Sequence, residues 1–187
     1  MVEGLIHTCT IQRRYAKQRL AFDGGTGAFT AGLTVTGASS EATGVISSVG
    51  GTTASGYLVL RTLNGTFEDD EAITDTGTGA AVVNGAATDY QNQSGEPGWY
   101  WKDDQTAVPC RLYYAGGGKG KYRHDAGEVV DLPLKCMLPD TVTIARTGYR
   151  LVTTASGFAG TYALAYLYPR SNGDGLDHYE ATLQEVV

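Results

Sequence analysis

This sequence predicts an all-β protein, a small β-barrel body with a second small β-domain inserted near the N-terminus. Three observations carry that reading. Glycine supplies 26 of the 187 residues, and each costs about 1 kcal/mol against alanine inside a helix, so long helices are disfavoured. Apolar and polar side chains alternate with period two from the first residues onward. Turn-forming residues then recur roughly every 8–12 positions, the spacing of a barrel or sandwich. With 42% hydrophobic residues and five prolines, wholesale disorder and collagen are both excluded.

In chain order, Leu5, His7, Cys9 and Ile11 alternate with Ile6, Thr8, Thr10 and Gln12, which defines the first strand. Composition changes near residue 21 and again near residue 90. Between those points lie 13 glycines, 13 threonines and 11 alanines, with Arg61 the only basic residue against eight acidic ones. That segment carries a charge of −7, and the rest of the chain carries +1, giving the total of −6. The composition therefore divides the chain into a discontinuous body, 1–20 and 91–187, and an insert, 21–90.

Within the insert, Leu33–Ile46 resembles Glu71–Val83, each reading as strand, Gly/Ser/Thr turn, strand. Tyr57–Leu63 is a further strand, closed by the Asn64-Gly65 turn signal. Periodic Val, Ile and Leu distinguish the segment from a flexible linker. In the body, strands are expected at Val108–Tyr114, Glu128–Leu138, Thr141–Arg146, Tyr149–Thr154, Thr161–Tyr168 and His178–Val186. Gly116-Gly117-Gly118, Leu138-Pro139-Asp140, Ser156-Gly157 and Asn172-Gly173-Asp174-Gly175 supply the turns, and Pro109 and Pro133 belong at strand ends, edges or bulges.

A search for chemistry finds no catalytic residue, no cofactor site and no metal site. Asp23-Gly24-Gly25-Thr26-Gly27 lacks the full dinucleotide fingerprint, and Gly116–Lys121 has Tyr122 where a phosphate loop needs Ser or Thr. No G-x-S-x-G elbow occurs. His7 and Cys9 share a strand face, but neither they nor Cys110, Cys136 and His178 form the close pairs of structural zinc sites. The three cysteines read as buried, reduced thiols. Asn172–Asp177 reads as an Asx-type turn lacking a calcium loop's closing Glu, and Glu68-Asp69-Asp70-Glu71 as a solvated acidic turn. Trp99-Tyr100-Trp101 reads as the anchor of the insert's return or as an aromatic platform. The N-terminus has neither a basic n-region nor an apolar h-region, so no secretory signal is expected. No run of about 18 apolar residues predicts a membrane span.

One basic cluster stands out in the body. Gly116, Gly117, Gly118, Lys119, Lys121, Arg123 and His124 form a glycine-rich loop with the charge to touch DNA phosphate without reading sequence.

Four stretches of the flanks carry a resemblance. They are His7-Thr8-Cys9-Thr10-Ile11, Val108-Pro109-Cys110-Arg111-Leu112-Tyr113-Tyr114, Leu138-Pro139-Asp140-Thr141-Val142 and His178–Val186. In order and spacing they resemble the head-closure, or stopper, proteins of tailed bacteriophages, a family of head–tail connectors. The resemblance implies a β-barrel that forms a homo-oligomeric ring, of 12 or 6 copies, between the portal or adaptor and the tail. It implies retention of packaged DNA through transient, non-specific contact, with Gly116–Ala126 matching by position a loop that extends into the channel. The implied location is the virion neck, with the host cytoplasm during assembly, and no membrane. An alternative reading is a decoration or binding module of capsid or tail, built of two β-domains. An enzyme is not expected.

Overall fold

A computed structural model describes residues 5–115, 121–123, 129–131, 133–171 and 175–186. The chain forms two compact units, Met1–Arg14 with Trp101–Val187, and Tyr15–Tyr100. No helix occurs among the described residues.

The strands are β1 (His7–Ala16), β2 (Gln18–Gly27), β3 (Thr34–Gly37), β4 (Thr43–Gly51), β5 (Gly56–Asn64), β6 (Ala72–Asp75), β7 (Ala80–Val83) and β8 (Thr88–Asp89). They continue as β9 (Trp99–Tyr114), β10 (Lys121–Arg123), β11 (Val129–Asp131), β12 (Leu134–Pro139), β13 (Tyr149–Thr153), β14 (Gly160–Ser171) and β15 (Leu176–Glu185).

The body is a closed barrel in the order β1-β13-β14-β15-β12-β9. Alternation decides which side chains fill it: Cys9, Ile11, Cys110, Leu112, Leu134, Cys136, Leu138, Leu151, Leu164, Ala181 and Leu183 are all buried in one core. The insert leaves after β1 and returns into β9, two strands that neighbour one another in the closed barrel, so it occupies a hairpin connection. Between β9 and β12 the arms stay paired through Ala115 N–H to Pro133 O at 3.2 Å and the β10–β11 ribbon, in register Lys121↔Asp131 to Arg123↔Val129.

The unit boundaries fall inside β1 and β9, at 14/15 and 100/101, where composition places them at 20/21 and 90/91. Leu20 and Phe22 pack in the insert core although Lys17 and Arg19 give their surroundings a body-like charge. With the structural boundary the insert holds three basic and nine acidic residues, net −6, and the body eleven of each.

Two strand expectations need correcting. Thr141–Arg146 forms no strand: Val142 N–H closes a turn onto Pro139 O at 3.2 Å, and Val142 and Ile144 are apolar because they pack on the core. Glu128–Leu138 is not continuous, since β11 ends at Asp131 and β12 begins at Leu134, after Pro133, which has no N–H to donate. Asp23–Gly27, on which no strand is expected, is the irregular end of β2, paired to β7 with a register shift between Asp23 and Gly27.

The insert is also closed. Its sheet runs β5-β4-β3-β6-β7-β2-β8, and a β5–β2 ladder joins β2 back to β5, making a second six-stranded barrel with β8 beside β2. The internal repeat explains its construction. A shift of 38 positions carries Leu20 to Leu58 and Thr36 to Thr74, and both couples face each other directly in antiparallel ladders. Each ladder is therefore centred on a pseudo-twofold axis. The second repeat's turn is one residue shorter, and beyond it the equivalence continues: Ile46↔Leu60 matches Val83↔Phe22, and Val45↔Arg61 matches Val82↔Asp23. Equivalent loop bonds recur as well, Gly32 N–H to Ile46 O at 2.8 Å and Asp70 N–H to Val83 O at 3.1 Å. So do positive-φ positions, Gly24 with Thr62 (58° and 56°) and Gly32 with Asp70 (93° and 61°). Phe29 and Phe67, again 38 apart, are both buried. Each half gives its first strand to the other: β2 pairs with β7, and β5 with β4.

Two carboxylates close the turns of these halves from inside. Glu71, 6% exposed, accepts from the N–H groups of Ser39 (3.2 Å), Ser40 (3.1 Å) and Glu68 (2.7 Å) and from both serine hydroxyls. Burial opposes its ionisation, yet the bonds from Ser40, Glu68 and Ser39 outweigh it and hold the carboxyl below its usual range. Asp75 accepts from Gly77 and Gly79 N–H, both at 2.8 Å. Gly37 and Gly79 leave room for these groups, since a Cβ would sit 2.5 Å from Glu71 Oε2 and 2.8 Å from Asp75 Oδ2. The run Glu68–Glu71 is thus only partly a solvated turn, because its last carboxylate is consumed by the fold.

Candidate functional site

The outward face of the body barrel over β14, β15, β12 and β9 concentrates its polar aromatic and basic side chains. Cross-strand register sets them in rows, because directly opposed residues point to the same side of a sheet. One row reads Tyr166, Thr182, Lys135, Tyr113; the next reads Tyr168, Glu180, Met137, Arg111. Arg170 and His178 head the third.

Every tyrosine on this face has an arginine over its ring: Arg170 over Tyr168 at 5.8 Å, Arg146 over Tyr166 at 5.6 Å and Arg111 over Tyr113 at 6.0 Å. Tyr166 and Tyr168 stack, with centroids 6.1 Å apart and planes 10° apart. Both remain about half exposed, at 53% and 47%. Glu180 lies at the centre, paired with Lys135 Nζ and with Arg170 Nη2 at 2.8 Å. The bond from Lys135 holds its carboxyl below the usual range against the opposing effect of burial, and Arg170 adds to this. Lys135 is correspondingly raised by Glu180. Burial, reinforced by the charge of Glu180, pushes the Tyr113 phenol up. The face therefore presents Arg111, Lys135, Arg146 and Arg170 around one neutralised carboxylate, with tyrosine and methionine between them. Tyr, Arg and Met are the side chains enriched at protein–protein interfaces. Sequence reading passed over this face because its members come from four strands and the 140–148 connection, and no local motif joins them.

Gly116, Gly117, Gly118, Lys119 and His124 lie outside the described residues. Lys121 and Arg123 belong to the β10–β11 ribbon rather than to an open loop. Asn172, Gly173 and Asp174 also lie outside the described residues.

Cys9, Cys110 and Cys136 meet in the barrel core as free thiols. Contact with the Cys110 sulfur, together with burial, pushes the Cys9 and Cys136 thiols well up, which keeps them protonated. His7 does not join them: its Nδ1 accepts from Leu112 N–H at 3.1 Å and its ring meets Phe158 edge-on at 5.3 Å. His178 instead faces Asp177 Oδ2 at 2.8 Å. Among the described residues no cluster of three His, Cys, Asp or Glu is arranged to hold a metal.

The Trp99-Tyr100-Trp101 run is divided. Trp101 lies under the Arg150 guanidinium at 4.5 Å in the body, beside a Gln12 side chain bonded to both Arg150 and Asp103 at 2.6 Å. Tyr100 stacks on Tyr15 at 5.8 Å in the insert.

No family model, curated protein or solved structure matches the chain.

Proposed function

We propose that the chain is a structural subunit of a tailed-phage neck, forming a ring between portal or adaptor and tail that retains packaged DNA and docks the tail. One observation carries this reading above the others. The four stretches that resemble head-closure proteins fall on β1, β9, the end of β12 and β15, which are consecutive neighbours around one closed barrel. Residues scattered over the sequence thereby become a single continuous wall.

The tyrosine–arginine face supplies chemistry for subunit contacts. In a ring, each subunit offers one surface to a different surface of the next, and rotation closes the set. The β10–β11 ribbon and the basic residues 119–124 supply the element that meets DNA, and an electroneutral body does not repel it. The acidic insert fits an outer position, where water and salt screen its charge.

Localisation in particles tests the reading. Labelled protein at the single portal vertex is the expected result, whereas labelling over capsid faces or at the tail tip replaces the neck role with a decoration module.

A further inference from the structure

The inserted unit is acidic, and two of its three basic side chains lie in one cleft. Lys17, Gly32, Ile46, Ser47, Arg61, Trp99 and Tyr100 line an open cleft of about 330 Å³, with Trp99 43% exposed at its edge. The third base, Arg19, lies over the Tyr57 ring at 4.5 Å. Neither Lys17 nor Arg61 has a carboxylate partner among the described residues.

The duplicated architecture contains its own comparison. The pseudo-twofold carries Arg61 to Asp23, Gly32 to Asp70 and Ile46 to Val83. At the equivalent place, Asn84 Nδ2 donates to Asp23 Oδ2 at 3.0 Å, so side chains there bond to one another. One backbone frame thus carries opposite charge in its two copies, and only the Arg61 copy is flanked by the aromatic segment Trp99-Tyr100. The cation in this cleft is not demanded by the fold.

We propose that this cleft binds a carboxylated sugar ring. Arg61 presents a planar fork matched to a carboxylate, with Lys17 as a second charge. Trp99 and Tyr100 provide an apolar wall for the C–H face of a ring, and Ser47 a hydroxyl for its polar edge. A phosphate ligand fits less well, because phosphate sites draw on converging backbone N–H groups. Here the N–H groups of Lys17, Gly32 and Ile46 are already bonded to Gly98, Ile46 and Leu33 carbonyls at 2.8–2.9 Å. A nucleic-acid strand is opposed by the unit's net charge of −6, whereas a sparsely charged sugar is not.

Full-length protein titrated with trigalacturonate, followed by calorimetry and tryptophan fluorescence, is expected to bind with a Kd below about 1 mM. Arg61→Asp and Trp99→Ala should each weaken binding at least about tenfold, and neutral maltotriose should bind at least about tenfold more weakly. Arg61→Asp should fold, since the equivalent position already holds Asp23; should its thermal melt be lost, Arg61→Gln serves the same comparison. No binding at about 10 mM sugar, equal binding of maltotriose, or preference for a thymidine single strand overturns the proposal. The titration uses no particles, so it stands or falls separately from the neck assignment.

Discussion

Leu20 and Leu58 face each other across the β2–β5 ladder, and each is the other's counterpart in the duplicated insert. Both are fully buried. Replacing either with alanine should cost about 2–5 kcal/mol, and the two costs should agree within about 1 kcal/mol because the surroundings are related by the same axis. The double variant should deviate from additivity, as contacting residues do. Denaturant melts of the three variants measure this, and strongly unequal single costs would contradict the symmetry.

Thr62 takes a φ of 56°, where a β-branched residue is strained, while its counterpart at 58° is Gly24. Thr62→Gly should raise stability by about 1 kcal/mol after the entropy cost of glycine is counted. A lower melting temperature would show that Thr62 makes contacts outweighing its strain.

Glu71 links stability to acid. Its folded pKa lies below the unfolded value of about 4.3, so its contribution is complete above that value and disappears as pH falls through the folded one. Glu71→Gln should lose about 2 kcal/mol at pH 7 by breaking charge-assisted bonds, and should flatten the stability slope below about pH 4. Urea melts at neutral and acid pH read both effects; an unchanged acid slope would remove Glu71 from the linkage.

On the outward face, Tyr168→Thr should leave the body's thermal melt within about 1 kcal/mol, because the ring is half exposed, yet weaken the proposed ring assembly measured by native mass. Retained rings would place the subunit contact elsewhere. Lys135→Met should raise the Glu180 pKa toward its usual value, followed by NMR titration, since Lys135 is its foremost partner.

Replacing residues 15–100 with a short Gly/Ser link should give a soluble body, because β1 and β9 are neighbours. Removing 21–90 alone should aggregate, since it strands Leu20 without the core that buries it. Sedimentation of the two deletions separates them, and equal solubility would return the boundary to the composition break.

Much of this was legible from period-two alternation: β1, β5, β13 and β15 lie where Leu5–Gln12, Tyr57–Leu63, Tyr149–Thr154 and His178–Val186 predict them. The repeat of 33–46 in 71–83 was also visible, but not its partner exchange, which depends on β2 and on pairing rather than order. β2 escaped because Asp23-Gly24-Gly25-Thr26-Gly27 has turn chemistry inside a strand. The outward face, and all of the Arg61 cleft but its Trp99-Tyr100 wall, which the sequence offers as an aromatic platform, escaped for one shared reason. Each assembles side chains from distant strands, so no spacing along the chain marks them.

The exposed link Thr52–Ser55 is all that joins the two halves of the insert through the backbone between β4 and β5. Since each half holds a strand of the other, a protease cut between Thr53 and Ala54 would sever the chain without freeing either piece. The fragments would stay clasped, β2 against β7, β5 against β4 and β1 against β13, and would part only when both barrels melt. The exchange of first strands thus makes this unit tolerant of a broken backbone at its exposed link.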